Sequence, residues 1–587
     1  MRVPTELSIQ LSTRARILLV GFGLTLAVFF FLANRAAYQG FFTDDDFDNI
    51  ANARESFLPD YLRALIRPSL GGDGNFRAAA YFYYFGMVRV AGLRYRPYIA
   101  GIHVVHLINV ALVWALARAL GAAPLGACAA ALLFVFHAAA FSIYWTPMYV
   151  FDLLCGTFTL ASVLAYIRGR MVVSLIFFWL AMKSKEVAVL LPVLLATYEL
   201  LLAERRWKRV LPFAAISAIF GIPALISNTH RDNDYTLRFT IAAIRHCASF
   251  YASQLLLMPF AGFALLAIPF VFRNRLVRLG AVTFLLFLAP LLVLPGRLFA
   301  AYLYVPLIGV SIALSAVNRA IWLAAFFAAW MPWNYYHLRL DRRAALASAR
   351  ERRTWFAPIA SFMQTHPDVD TFVYENAPES LAYYGVAGAV RNLRNPNFTT
   401  RVAWAGMPQF ASYLKEPHLV LLAWDQQRQI LTVVPRAPDV SYINLSPRAP
   451  IWQLISGWQA AAESFRWIEP HARARLLRPA NAHVFEVVVY VSPFYIEHLH
   501  QGRLALSLDH VPVGSGVFDQ AVPTTFHFEV PPGPEGSVEV EFTVAPPLKD
   551  PSGSGYLGIP IAAFGFASRC YGMLHATGCA TILLTLL

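Results

Sequence analysis

ILLVGFGLTLAVFFFLANRAAYQGFFTDDDFDNI, residues 17–50, joins a helix-length apolar run to a cluster of acids. Residues 17–32 carry no charge and follow Arg14 and Arg16. No small-residue cleavage site comes after them, so the run reads as a retained first helix with its N-terminus inside. Similar runs recur to about Trp333, and the 587 residues are 58% hydrophobic and 14% charged. A mean hydropathy of +0.52 is far from that of an ordinary soluble chain. Hydropathy and length predict eleven spans: 17–37, 98–118, 124–142, 147–167, 171–183, 187–203, 210–227, 247–272, 279–296, 301–317 and 320–337. The fifth is short enough to tilt or stop partway. Residues 76–93, FRAAAYFYYFGMVRVAGL, are apolar but carry Arg77 and Arg89, the pattern of a helix lying at the membrane interface.

Basic residues orient the spans. With the N-terminus inside, the inner connections include RGR at 168–170, ERRWKR at 204–209, RNRLVR at 273–278 and NR at 318–319. The largest outer connection, 38–97, opens with acids. Odd parity sends the C-terminal part outside, although it begins with a basic run, 339–353, which the positive-inside rule disfavours. The net charge of +14 fits cytoplasmic loops and lipid headgroups, and with no binding motif present nucleic acid is not a partner.

The fold class expected is a polytopic α-helical membrane domain followed by an extracytoplasmic α/β plus β-sandwich-like domain. The boundaries fall at 1–338 for the membrane domain, 339–480 for a mixed α/β region and 481–587 for the β region. A helix is predicted at 342–363 and a strand at 371–375. Alternating runs FEVVVYV, RLALSLD, TTFHFEV and SVEVEFTV, separated by PPGPEG and DPSGSG, read as strands of a sandwich. Cys128, Cys155 and Cys247 sit in or beside apolar spans as packing residues. Cys570 and Cys579 are either a disulfide or free thiols. The apolar tail ASRCYGMLHATGCATILLTLL, 567–587, has no assignment.

Four constellations can carry chemistry. In FFTDDDFDNIANARE, residues 41–55, Asp44, Asp45, Asp46 and Asp48 repel one another, which raises some of their pKa values. A carboxylate so tuned suits a general base; ionised neighbours suit a divalent cation held against phosphate; the bland alternative is a solvated loop that caps a helix. Lys183, Lys185 and Glu186 interrupt an apolar stretch at the outer junction of spans five and six, either to hold a lipid phosphate or to snorkel to water. Arg297 stands at the outer mouth of span ten with Tyr302 and Tyr304 after it, a phosphate clamp or an interfacial anchor. His103, His106 and Asn109 recur every three residues and share a face of span two, where hydrogen bonding between helices competes with metal ligation. Asp152 is a lone acid near the outer start of span four.

The order of these pieces resembles the GT-C superfamily of membrane glycosyltransferases over residues 15–317. An acidic first loop is followed by an Arg-bearing interfacial stretch, HxxHLxNxxL, KxKE with LP and YE, and RxxxxYLYxPxIG. Within the superfamily the chain is similar to relatives of the TPR-bearing O-mannosyltransferases, without the TPR tail. The resemblance implies a polyprenyl- or dolichyl-phosphate sugar donor and transfer on the outer face to a protein, lipid or glycan acceptor. It implies Asp45 and Asp46 as catalytic base and neighbour. Lys185, Glu186, Arg297 and Tyr302 would line the donor phosphate site. Arg77 precedes Ala78 where the family often has Arg-Pro, and Val150 and Phe151 stand where the family carries an Arg before its acid. The expected function is inverting glycosyl transfer in a bacterial inner membrane, and the alternative is a transporter or flippase of a lipid-linked saccharide.

Overall fold

The computed structural model describes residues 13–67, 77–228, 233–462, 464–551 and 555–567. Cys570, Cys579 and the apolar tail lie outside them. The chain divides into two compact units, Met1–Arg352 and Arg353–Leu587.

The first unit is helical: α1 (Thr13–Ala33), α2 (Asp44–Glu55), α3 (Leu58–Ile66), α4 (Ala78–Ala91), α5 (Tyr95–Ala119), α6 (Pro124–Phe136), α7 (Phe141–Trp145), α8 (Val150–Ile167), α9 (Met171–Met182), α10 (Leu191–Leu201), α11 (Leu211–Asn228), α12 (Ile241–Leu256), α13 (Ile268–Val271), α14 (Arg275–Leu288), α15 (Pro306–Leu314) and α16 (Ala320–Thr365). Among the described residues, four helical stretches are long and apolar enough to cross a membrane: Ile17–Gln39, Tyr95–Ala119, Pro147–Ile167 and Arg275–Val293. Two bent pairs bring the number to as many as six, which makes this unit a multi-pass membrane domain; by length and composition these helices do not confirm the full count of eleven spans.

The difference has local causes. The run 247–272 breaks by 89° between Leu256 and Ala261. Pro259 withholds an amide there, and Leu257 and Phe260 take left-handed backbone at φ 58° and 56°. The run 124–142 bends by 51° where His137 is extended. Buried Asn334 satisfies that break: its side chain accepts from the Ala138 amide at 2.8 Å and donates to the Phe136 carbonyl at 2.6 Å. Helix α15 has nine residues, or about 14 Å, against about 30 Å of hydrocarbon. The apolar start of α16 continues without a break into the charged segment 339–353 in one 46-residue helix.

Glycines set the closest approach. A Cβ on Gly280 of α14 would meet the Gly309 carbonyl oxygen of α15 at 2.5 Å, and one on Gly309 would meet the Phe284 amide at 2.4 Å.

Among its described residues the second unit contains two sheets and a two-stranded ribbon. Strands β1 (Thr371–Tyr374), β2 (Arg401–Trp404), β3 (Leu419–Asp425) and β4 (Ile430–Pro435) form a sheet in the order β2-β1-β3-β4, parallel except for β4. Helices α17 (Tyr383–Leu393) and α18 (Phe410–Tyr413) supply its crossovers. Six of the seven residues of β3 are buried, as a strand covered on both faces requires.

The larger sheet has nine strands: β5 (Tyr442–Asn444), β6 (Leu454–Trp458), β7 (Arg466–Arg478), β8 (Val484–Tyr490), β9 (Gly502–Leu508), β10 (Val511–Phe518), β11 (Pro523–Glu529), β12 (Gly536–Ala545) and, after the ribbon 548–557, the strand Pro560–Ala567. The four alternating runs of the sequence fall on β8, β9, β11 and β12. Trp467 of β7 pairs with Pro560, whereas His471–Arg478 pair with β12, so β7 changes partner along its length. Ile468, Leu476, Val487, Leu506 and Val540 share one buried core.

Candidate functional site

The acids after α1 begin a helix. Thr43 is the N-cap of α2, and Asp44, Asp45 and Asp46 occupy its first turn, where carboxylates suit the helix dipole. Successive residues then point about 100° apart. Asp46, at the third position, turns back into the protein and is fully buried. Its Oδ2 accepts from the Thr43 amide at 2.9 Å and the Thr43 hydroxyl at 2.8 Å, the reciprocal half of a capping box. The Tyr84 hydroxyl of α4 donates to Oδ1 at 2.7 Å. Burial pushes this carboxyl up to about 6, the bonds from Thr43 and Tyr84 hold it down, and the Asp45 charge raises it further.

Asp44, Asp45 and Asp48 are half-buried. Asp45 and Asp48 stand three apart on a common face of α2, and both carboxylates act on the phenol of Tyr81 in α4. Asp48 accepts from the Asn52 amide at 3.0 Å. Asp45 also acts on Arg297, which follows α14 some 250 residues later. Burial opposes the Arg297 charge, but Tyr302, Tyr235 and Asp45 outweigh it and keep the guanidinium above its usual range. Arg297 lies 3.4 Å from the Tyr302 hydroxyl and over the rings of Tyr235 and Phe299, at 4.6 and 4.9 Å. Its Nε–H is buried, and among the described residues nothing accepts from it.

The junction after α9 brings the next charges. The chain leaves the helix at Lys183 and is extended at Lys185 (φ −159°). The Lys185 ammonium sits 2.5 Å from Asp152 in the first turn of α8, with 16% and 7% of the two side chains exposed. It also lies 4.2 Å from the centre of the Tyr302 ring. Next door, the Ala79 amide donates to the Lys183 carbonyl at 3.0 Å and ties the start of α4 to this junction. Arg77, just before α4, therefore donates to Glu186 at 2.8 Å and lies over the Phe151 ring at 5.5 Å. Glu186 and then Asp152 raise the Arg77 guanidinium, against the effect of burial. Burial pushes Glu186 up, but Arg77 and Lys185 hold it below the carboxylate range.

Asp45, Asp48, Arg77, Asp152, Lys185, Glu186, Arg297 and Tyr302, distant in sequence, thus form one linked polar cluster. Lys183 is turned elsewhere: it is fully buried, donates to the Arg67 carbonyl, and lies between the Trp179 and Phe220 rings at 5.7 and 5.5 Å. His103 and His106 use both ring nitrogens. His103 bonds the Tyr38 hydroxyl at 3.2 Å and the Tyr144 carbonyl at 3.0 Å. His106 bonds the Tyr304 hydroxyl at 2.9 Å and the Val135 carbonyl at 3.2 Å. Asn109 donates to the Leu153 carbonyl at 2.9 Å and to the Tyr304 hydroxyl at 3.0 Å. This face of α5 braces its neighbours. Among the described residues no group of three or more His, Cys, Asp or Glu converges as metal ligands.

Sequence reasoning missed three participants. Tyr84 and Tyr81 lay in a stretch read only as apolar. Arg352 donates to the Phe42 carbonyl at 2.8 Å and feels Asp46 and Asp44, from the basic run that seemed misplaced. Nothing local in the sequence signals that contact across 310 residues.

No protein-family model matches the chain, and no curated protein matches it. Among solved structures it is similar to the arabinofuranosyltransferase AftD from Mycobacteria, at 11% identity and a TM-score of 0.41, over 93% of this chain and 58% of that one. Two structures of a mutant of the same protein match at 13% and 12% identity, with TM-scores of 0.38 and 0.36. They align over 94% and 92% of this chain. The chain spans about three-fifths of the length of these structures.

Proposed function

We propose that the protein is a membrane glycosyltransferase of the GT-C type, moving a sugar from a polyprenyl-phosphate carrier to an acceptor hydroxyl on the extracytoplasmic face. The observation that carries this reading is the linked cluster itself. Half-buried carboxylates on α2 face an arginine with an unused buried N–H and a lysine seated on the same tyrosine. Base and anion-binding groups side by side are what transfer from a phosphate leaving group needs.

In this mechanism the acceptor oxygen attacks the anomeric carbon from the side opposite the phosphate. Its proton passes to the Asp45 carboxylate. The bond between anomeric carbon and phosphate oxygen breaks, the configuration inverts, and the lipid phosphate leaves with both bonding electrons. Arg297 and Lys185 stabilise the charge on that phosphate. Arg77 and Glu186, already paired, orient the junction that carries Lys185. Asp46, with both oxygens engaged, positions α2 and is not the base.

The test is transfer of labelled sugar from a panel of polyprenyl-phosphate donors in purified membranes. Asp45→Asn should lose transfer while the protein stays folded. Undiminished transfer in that variant removes Asp45 from the mechanism. Movement of lipid-linked sugar across liposomes with no new glycosidic bond would replace the reaction by translocation.

A further inference from the structure

A second feature lies at the other end of α14, outside the polar cluster. A cleft of about 1280 Å³ opens between the segment Ala261–Val271, α14, α15 and the start of α16. Its wall is apolar, and Phe270, Phe272, Leu285 and Trp322 are exposed along it. At one end the lining turns basic. Gly280 of α14 approaches Ala313 of α15 while Phe284 approaches Gly309, so the two helices run antiparallel. The N-terminal end of α14, with Arg273 and Arg278, therefore adjoins the C-terminal end of α15, with Arg319. All three arginines are exposed, no acid stands among the lining residues, and among the described residues none of the three forms an ion pair.

We propose that this cleft holds one anionic phospholipid, its acyl chains along α14 and α15 and its headgroup phosphate on Arg273, Arg278 and Arg319. Charge and shape choose this occupant. A continuous apolar trough takes hydrocarbon, and a purely cationic mouth selects a negative head over a zwitterionic one. The position sets it apart from the donor. Arg278 and Arg297 lie at opposite ends of the apolar helical stretch Arg275–Val293, about 28 Å of helix. A lipid with its phosphate at the arginine rim is therefore remote from the reacting phosphate, and the inference stands whether or not the protein transfers a sugar. Opposite ends also match the basic segments 273–278 and 318–319 that the sequence assigns to the inner face.

The experiment is native mass spectrometry of the full-length protein from nanodiscs of phosphatidylcholine with graded phosphatidylglycerol. Wild type should retain one phosphatidylglycerol in preference to phosphatidylcholine. Each of Arg273→Gln, Arg278→Gln and Arg319→Gln should weaken retention about fivefold. These side chains are on the surface, so the variants keep the wild-type gel-filtration profile. Ala281→Trp, which fills the cleft and leaves the arginines in place, should abolish retention. Equal retention of the two lipids, or unchanged retention in Ala281→Trp, overturns the proposal. So does binding of polyprenyl phosphate at the rim in place of phospholipid.

Discussion

Replacing Asp46 by Asn should remove a specific piece of the protein's pH dependence. The Asp46 carboxyl is displaced from an ordinary 3.8 to about 6, chiefly because it is fully buried. A carboxyl raised on folding binds its proton more tightly in the folded state. Between pH 3.8 and 6 the folded protein therefore holds more protons at this site than the unfolded one, and stability falls as pH rises through that window. Above about pH 6 the loss is complete and the contribution is flat. At 1.36 kcal/mol per pH unit the penalty is about 3 kcal/mol. Asn has nearly the same shape, and its oxygen accepts from Thr43 while its amide donates to a rotated Tyr84 hydroxyl. The variant thus keeps the cap and loses the charge. The assay is thermal unfolding in detergent, wild type beside Asp46→Asn, from pH 4.5 to 7.5. The stability difference should shift in favour of Asn by about 2 kcal/mol between the ends of that range. All other titrating groups are common to both proteins and cancel. A difference that does not change with pH would refute the claim that Asp46 is a strained buried carboxylate.

Asp45→Asn should slow transfer by about 10²–10⁴-fold with donor affinity little changed, read as kcat against KM. Arg297→Gln should lower kcat by about 10²–10³-fold, and Arg297→Lys should restore only part, because a point charge cannot replace a planar donor pair. Lys185→Met leaves Asp152 buried without its partner and should cost about 3–5 kcal/mol of stability. The double variant Lys185→Met with Asp152→Asn should recover most of that stability and none of the transfer, so recovered transfer would remove Lys185 from the phosphate site. Tyr304→Phe takes a hydrogen-bond partner from both His106 and Asn109 and should lower stability by about 1–3 kcal/mol, measured by thermal unfolding.

The sequence made the charged clusters legible because charge in an apolar stretch is costly and therefore conspicuous. It did not show which member of each cluster faces the site. Lys183 and Lys185 are two residues apart, but the chain leaves helical geometry between them, so one is buried under Trp179 and the other reaches Asp152. On α2 the signal was present and weak. Thr43 three residues before Asp46 is a capping-box spacing, and it marks Asp46 as the acid that turns inward. The span count goes beyond what the helices confirm where hydropathy averages over a break. A window across residues 247–272 registers the Leu and Phe on both sides of Pro259 and not the turn that Pro259 imposes. The β strands were legible because a period of two survives in β8, β9 and β12, where buried residues alternate with less buried ones.

The charge balance inside the cluster assigns the remaining roles. Arg77 is committed to Glu186 and Lys185 to Asp152, so each cation already has a carboxylate at hydrogen-bonding distance. An incoming phosphate must compete with those carboxylates for either one. Among the described residues Arg297 has no such competitor in contact: its neighbours there are the Tyr302 hydroxyl and two aromatic rings, and its Nε–H is unused. A buried donor without a partner carries a penalty that a bound anion relieves, whereas a paired donor offers no such gain. In the proposed mechanism, initial capture of the lipid phosphate therefore falls to Arg297. In that mechanism Lys185 contributes later, when charge grows on the leaving oxygen and the ammonium can share itself between Asp152 and phosphate. Loss of Arg297 should then raise KM as well as lower kcat, while neutralising Lys185 together with Asp152 should act on kcat alone. Equal effects of the two changes on KM would break this ordering.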